Sequence, residues 1–331
     1  MDIKEINKRI DKITKETGFV IDKEIYRGTY YTKNNIRNII YSGNYKNKPA
    51  ILKFYDDPRI TEEPISLSTF AKSNKSKVLT APKLYKKKII SAHTGWFIAE
   101  KIPDDFKKYK TPLNKAEREE FLQIFLDYRK NFPKQPTRKL YLAEKLSAEN
   151  FHFFRINRWF ELAQKKEADR LVSNKKLFLN EEFLNLYEKA IEEIRKEFKN
   201  RKMIWCHGHF KPHEIFTDKK RSKYYLIDFA HTAMFPEGYE LAFIVWSDYL
   251  VALEKWNLPF GKWKKGVDEW IVDIENLAGE LKYKNYKSLI RASIIERILG
   301  TILADITASD RLDKEKTRGI NLMTRLLEDL L

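Results

Sequence analysis

Two short stretches decide how this chain folds: WCHGHFKPHEIF, Trp205 to Phe216, and LIDF, Leu226 to Phe229. The first holds three of the six histidines and the single cysteine of a 331-residue chain. Cys206, His207, His209 and His213 carry donor atoms that suit zinc. Their spacing does not: there is no Cys-x-x-Cys pair, and Pro212 interrupts the i, i+4 relation of His209 and His213, so the segment reads as a loop. Apolar runs flank it, KMIW before and EIFTD and KYYLIDF after, with TDKKRSK (217–223) as a turn. The pattern predicts a small two-stranded ribbon embedded among helices, with polar residues at its ends.

Upstream, the first hundred residues read as strands around one short helix. EIYRGTYY and IRNIIYSG are rich in β-branched and aromatic residues, and TKNN (32–35) between them has hairpin chemistry. PAILKFYD supplies a third strand with Lys53 in it. A helix follows, with Thr61 as its N-cap, Glu62 and Glu63 at the positive end of its dipole and Pro64 in the first turn. APKLYKKKII and TGWFIAEKIP complete an antiparallel sheet of three strands, a helix and two strands. After Pro103 the chain turns helical. One helix starts at Asn114 with Glu117 in capping-box position, and a second starts at Asn180. A third, buried helix runs from Tyr286 to Ile306, and a fourth closes the chain. The expected boundary divides a sheet lobe, 1–103, from a helical lobe, 104–331. The fold class is α+β.

This order of elements resembles the protein-kinase-like two-lobed fold, and the residues sharpen the resemblance to the aminoglycoside phosphotransferase and choline kinase family. HGHFKPHE keeps the spacing of that family's catalytic loop, with His207, Gly208, Phe210 and Pro212 in matching places, and LIDF brings Asp228 fourteen residues after Glu214. FPEGYELA resembles the family's Pro-x-x-Tyr-Asp-Leu-Ala segment, with Glu240 in the acidic place. AILKFY places Lys53 where the family holds its phosphate-binding lysine, and FIAEKIP looks like the hinge.

The resemblance implies an ATP- and Mg²⁺-dependent phosphotransferase acting on a small-molecule hydroxyl. Lys53 would hold phosphates, with Glu63 or Glu62 as its carboxylate partner, and Glu100 and Ile102 would offer backbone groups to adenine. Glu214 and Asp228 would hold the metal, and His209 would face the acceptor. Two departures fall on the catalytic loop: His209 replaces the family's aspartate and Glu214 its metal-binding asparagine. Glutamate is a competent oxygen ligand for Mg²⁺, and a neutral imidazole, with a reference pKa of about 6.5, can take a proton near neutral pH. The alternative is a catalytically inactive pseudokinase that binds a nucleotide or a partner. His207 is expected to hold the loop, and His213 and His231 to face solvent or the cleft rim. Acidic residues of the helical half (Glu240, Asp248, Glu296, Asp305) could meet an amine in an acceptor.

Composition bounds the rest. Hydrophobic residues at 43% support a sizeable core, and one cysteine precludes an internal disulfide and suits a reducing compartment. The amphipathic N-terminal segment has no signal-peptide apolar core, and the longest apolar run, ELAFIVWSDYLVAL, is short and contains Asp248, so a cytoplasmic protein without a membrane span is expected. A net charge of +17 keeps nucleic acid among the partners to be weighed. The lysines are scattered among acidic residues, with no basic stripe interleaved with aromatics.

Overall fold

Side chains alternate along a strand, so Ala50, Leu52 and Phe54 face a core while Lys53 between them faces the other way. That alternation organises the first sheet of the computed structural model, which describes residues 3–29, 36–132, 146–173, 177–218, 220, 222–308 and 314–331. In chain order the elements are α1 (Ile3–Thr17), β1 (Val20–Thr29), β2 (Ile36–Tyr45), β3 (Lys48–Asp56), α2 (Glu63–Ser73), β4 (Leu79–Thr80), β5 (Leu84–Ile89), β6 (Thr94–Glu100), β7 (Lys107–Lys108) and α3 (Lys115–Asn131). They continue with α4 (Ala148–Val172), α5 (Glu181–Phe198), β8 (Met203–Cys206), β9 (Ile215–Asp218), β10 (Lys223–Leu226), β11 (Ala233–Pro236), α6 (Tyr239–Val245), α7 (Phe260–Glu280), α8 (Tyr286–Ala308) and α9 (Lys314–Leu330). The chain forms two compact units, one from residues 1–110, 127–137 and 212–232, the other from 111–126, 138–211 and 233–331.

In the first unit five antiparallel strands run in the order β1-β2-β3-β6-β5. One face is sealed by α1, whose Ile6, Ile10 and Ile13 recur at helical spacing and pack with Ile39, Leu52, Phe54, Trp96 and Ile98. Register places Ile40, Lys53 and Phe97 side by side on the opposite face. Pro64 sits in the first turn of α2, as the sequence suggests, but Thr61 is not its cap. The Thr61 hydroxyl donates instead to the carbonyl of Ala92, and Glu62 occupies the cap position without a capping bond. Phe70 of α2 packs on Phe132 and Phe229 at ring separations of 5.6 and 5.3 Å.

The predicted ribbon is β9 paired with β10, and it is larger than expected. β4 adds in parallel to β10, and β7 adds antiparallel to β9, giving a four-stranded sheet within the first unit. Both added strands are two residues long, too short to show a period. The TKNN turn (32–35) lies outside the described residues, as do positions 219 and 221 of the ribbon's turn.

The second unit is built around α8, where Ile290, Ile294, Ile298 and Ile302 are fully buried. The Asn180 side chain caps α5 by accepting from the Phe183 amide at 3.0 Å. At α3, Asn114 accepts from the Glu117 amide and the Glu117 carboxylate accepts from the Leu113 amide. β8 pairs with β11 in a second ribbon, Cys206 opposite Ala233. No helix among the described residues is long and apolar enough to cross a membrane.

Truncating Ile10 to alanine removes the central contact of α1 with the sheet. A core Ile→Ala change costs about 2–5 kcal/mol, so Ile10→Ala should lower the melting temperature markedly. An unchanged transition would mean that α1 is not seated on the sheet.

Candidate functional site

Lys53 leaves β3 on the face away from α1 and meets Glu63, the first residue of α2, with Nζ 2.5 Å from Oε2. Both side chains are buried. Of the two adjacent glutamates, the helix turns Glu63 toward the lysine and leaves Glu62 half-buried at the cap position. The aliphatic stem of Lys53 lies along the sheet, with Nζ 5.9 Å from the centre of the Phe97 ring.

The β9–β10 hairpin brings the other two candidate carboxylates to one end. Leu226 faces Ile215, and the Ile227 amide donates to the Glu214 carbonyl at 3.0 Å, so Glu214 and Asp228 flank the same ladder end. Asp228 has φ 59° and ψ 56°, the left-handed region, which costs a non-glycine residue on the order of 1–2 kcal/mol. Phe229, buried on Phe70, anchors the turn that follows. A residue held in such a conformation by its neighbours is characteristic of a functional position.

The charges interact. Burial pushes the Lys53 ammonium toward neutrality, but Glu63 and Asp228 outweigh it and hold its pKa above the ordinary lysine value. Glu63 is pushed up to about 7, first by burial and then by the carboxylates of Asp228 and Glu214, against the pull of Lys53. Glu63 thus lies in the field of Lys53 and of two further carboxylates, Glu214 and Asp228, both half-buried. Carboxylate oxygens are hard donors of the kind that suit Mg²⁺.

Glu100 ends β6. Its amide donates to Lys83 at 2.8 Å, and its carboxylate accepts from the Lys83 amide and the Tyr225 hydroxyl. That amide is therefore spent on the sheet. Ile102 follows two residues on and is half-buried, past Lys101, whose amide donates to Pro49.

In the second unit, β8 delivers Cys206, His207, Gly208 and His209. Gly208 has φ 78°, a conformation that suits glycine. Its amide donates to the buried Glu240 carboxylate at 2.8 Å, so α6 fixes the loop. His207 is fully buried beside Phe210, which packs on Phe121 and Phe125 of α3. His209 is half-buried with its ring 4.8 Å from that of Phe243. Among the described residues no three of Cys206, His207, His209 and His213 converge as metal donors, and Cys206 is buried with its thiol donating to the Ile204 carbonyl.

Sequence reasoning passed over Arg37 and Asp57. Arg37, the second residue of β2, places Nε 2.5 Å from the buried carboxylate of Asp57, just beyond β3. DDPR (56–59) is readable as a turn, but nothing local pairs it with Arg37, which lies one residue outside the β2–β3 register that begins at Asn38 and Tyr55.

Comparison of the whole chain with solved structures finds a similar fold in small-molecule kinases. A thermostable variant of aminoglycoside phosphotransferase APH(4)-Ia, solved with ADP and hygromycin B, superposes with a TM-score of 0.57 at 12% identity, covering 96% of this chain and 97% of that one. This chain has the protein-kinase-like fold. Choline kinase LicA from Streptococcus pneumoniae matches at TM-score 0.54 and 13% identity, over 98% of both chains. Plasmodium vivax ethanolamine kinase matches at 0.54 and 15%, over 95% of this chain and 84% of that one. No protein-family model matches the sequence, and no curated protein matches it. At these identities the likeness is one of fold.

The raised Glu63 pKa has a measurable consequence. A group whose folded pKa lies above its unfolded value contributes stability below the unfolded pKa, here 4.5, and loses it as pH rises through the folded value of about 7. In metal-free buffer, wild type should therefore lose on the order of 1–3 kcal/mol relative to Glu63→Gln between pH 4.5 and 7.5. Parallel melting curves for the two proteins across that range would contradict it.

Proposed function

We propose that the chain is an ATP- and Mg²⁺-dependent phosphotransferase that acts on the hydroxyl of a small molecule. The observation that carries this is the buried Lys53–Glu63 pair lying in the field of Asp228 and Glu214. Phosphoryl transfer needs a lysine on the phosphates, oxygen ligands for a divalent ion and a group that orients the acceptor. Lys53 holds the α- and β-phosphates, and Glu63 fixes its ammonium. The Glu100 carbonyl and the Ile102 backbone face adenine. Glu214 and Asp228 would hold Mg²⁺, which would neutralise phosphate charge. The compounds named with the kinases of this fold include ADP, AMP-PNP, hygromycin B and spectinomycin, which favours a nucleotide and a small hydroxylated acceptor.

In the reaction the acceptor oxygen bonds to the γ-phosphorus, the bond to the β–γ bridging oxygen breaks, and ADP leaves. His209 orients the acceptor hydroxyl and takes its proton. Glu240, through the Gly208 amide, positions the loop that carries His209.

A second reading follows from the same histidine. In place of the family's aspartate, His209 lacks the negative charge that orients a hydroxyl, and the protein would then bind nucleotide without transferring phosphate.

One comparison separates the two. ADP release and phosphate-monoester formation would be followed over a panel of hydroxylated small molecules, for wild type, His209→Asp and Asp228→Asn. A working enzyme transfers phosphate as wild type and loses about a hundredfold or more in Asp228→Asn. Transfer by His209→Asp alone would establish the inactive reading.

A further inference from the structure

Arg37 and Asp57 form an anion-seeking corner on the sheet that carries Lys53. Asp57 is 1% exposed and carries two guanidinium groups. Arg59 takes it from its own turn, with Nη2 at 2.9 Å, Nε at 3.1 Å and its backbone amide at 2.9 Å. Arg37 reaches it from β2 through Nε. Burial pushes the Asp57 carboxyl up, but the bonds from Arg59 and the charge of Arg37 bring it below the usual carboxylate range. One carboxylate is thus shared by two permanent cations.

Arg59 is more than half exposed and committed along the edge of its fork to Asp57. Arg37 is different. Its side chain is 26% exposed, its nearest approach to Asp57 is an ion pair through Nε without a hydrogen bond, and neither terminal nitrogen has a hydrogen-bond partner among the described residues. A guanidinium held by Nε still presents two parallel N–H donors at its tip, the geometry that binds phosphate oxygens two at a time. Arg37 is also the cation whose charge opposes that of Lys53, which places both in one field.

The sequence shows why such a group is needed. No Gly-x-Gly-x-x-Gly can be written across β1 and β2, so no glycine-rich run of backbone amides is available to cradle phosphates. Lys53, fixed by Glu63, supplies a single ammonium for the phosphates. We infer that the tip of Arg37 binds the terminal phosphates of the nucleotide, with Asp57 as the carboxylate that aims it. The site then has an anion-binding side, Lys53 and Arg37, and a cation-binding side, Glu214 and Asp228. A metal-bound triphosphate carries the complement of both. This inference rests on the proposed nucleotide site and adds a residue that the catalytic-loop and hinge motifs do not supply.

The test is calorimetric titration of wild type, Arg37→Gln and Arg37→Lys with ATP, ADP and adenosine at fixed Mg²⁺ and ionic strength. Arg37→Gln should bind ATP about tenfold more weakly or worse, ADP less affected, and adenosine within twofold of wild type. The graded loss is what a merely structural role would not give. Arg37→Lys keeps the charge and the Asp57 contact but loses the fork, so its ATP affinity should fall by about three- to tenfold, and it carries the test should Arg37→Gln fail to fold. Wild type that binds ATP with both variants unchanged would overturn the role of Arg37 and leave the nucleotide site standing. An equal loss for adenosine and ATP would also overturn it. Wild type that binds no ATP would remove the nucleotide site and this inference together.

Discussion

The buried pair of Lys53 and Glu63 is the constraint on which the rest of the first unit depends. An ammonium and a carboxylate taken out of water lose hydration worth several kcal/mol each, and their mutual attraction repays this only with good geometry and further partners. Placing them so requires β3 to present Lys53 away from α1, and α2 to begin at Glu63. Replacing the pair by apolar residues would be the cheaper way to build a core. A buried ion pair in the field of two further carboxylates is better explained by what it binds than by what it stabilises.

Charge then divides the site. Glu63 lies beside Lys53 in the field of Glu214 and Asp228, whereas Asp57 takes both Arg59 and Arg37. Like charges held close together carry a local cost. The left-handed backbone of Asp228 has the same character: a small local cost, held in place by Phe229 packed on Phe70. Loop geometry in the second unit follows a parallel logic, since the turn at Gly208 is closed by a single bond to the buried carboxylate of Glu240.

Features with a short, regular period could be read in the sequence. The sheet of three strands, a helix and two strands, the Asn180 cap and the isoleucine face of α8 all follow from alternation or from i, i+4 spacing. The spacing of HGHFKPHE and LIDF likewise pointed to the kinase-like fold. Other features were hidden for physical reasons. The inward face of α4 carries His152, Glu167 and Arg170, buried because His152 and Arg155 meet Glu296 and Arg170 meets Glu167, so an apolar count misses the helix. β4 and β7 are defined by their partners and not by their own residues. Thr61 is a good cap by type, but its hydroxyl is taken by Ala92, a contact across 31 residues that local patterning cannot foresee. Arg37 and Asp57 belong to the same class, joined by an ion pair between residues distant in sequence.

The account turns on whether the Lys53 site is a metal–nucleotide site, and ligand-dependent melting tests that most directly. A ligand that binds only the folded state stabilises it by RT ln(1 + [L]/Kd), so even weak nucleotide binding shifts the transition at millimolar ATP. The melting temperature would be measured with ATP alone, Mg²⁺ alone and both together. The account predicts a rise with ATP and Mg²⁺ together that exceeds the sum of the separate effects, because the carboxylates and the phosphates each need the ion. No rise with the two together, or a rise with ATP that Mg²⁺ does not change, would contradict it.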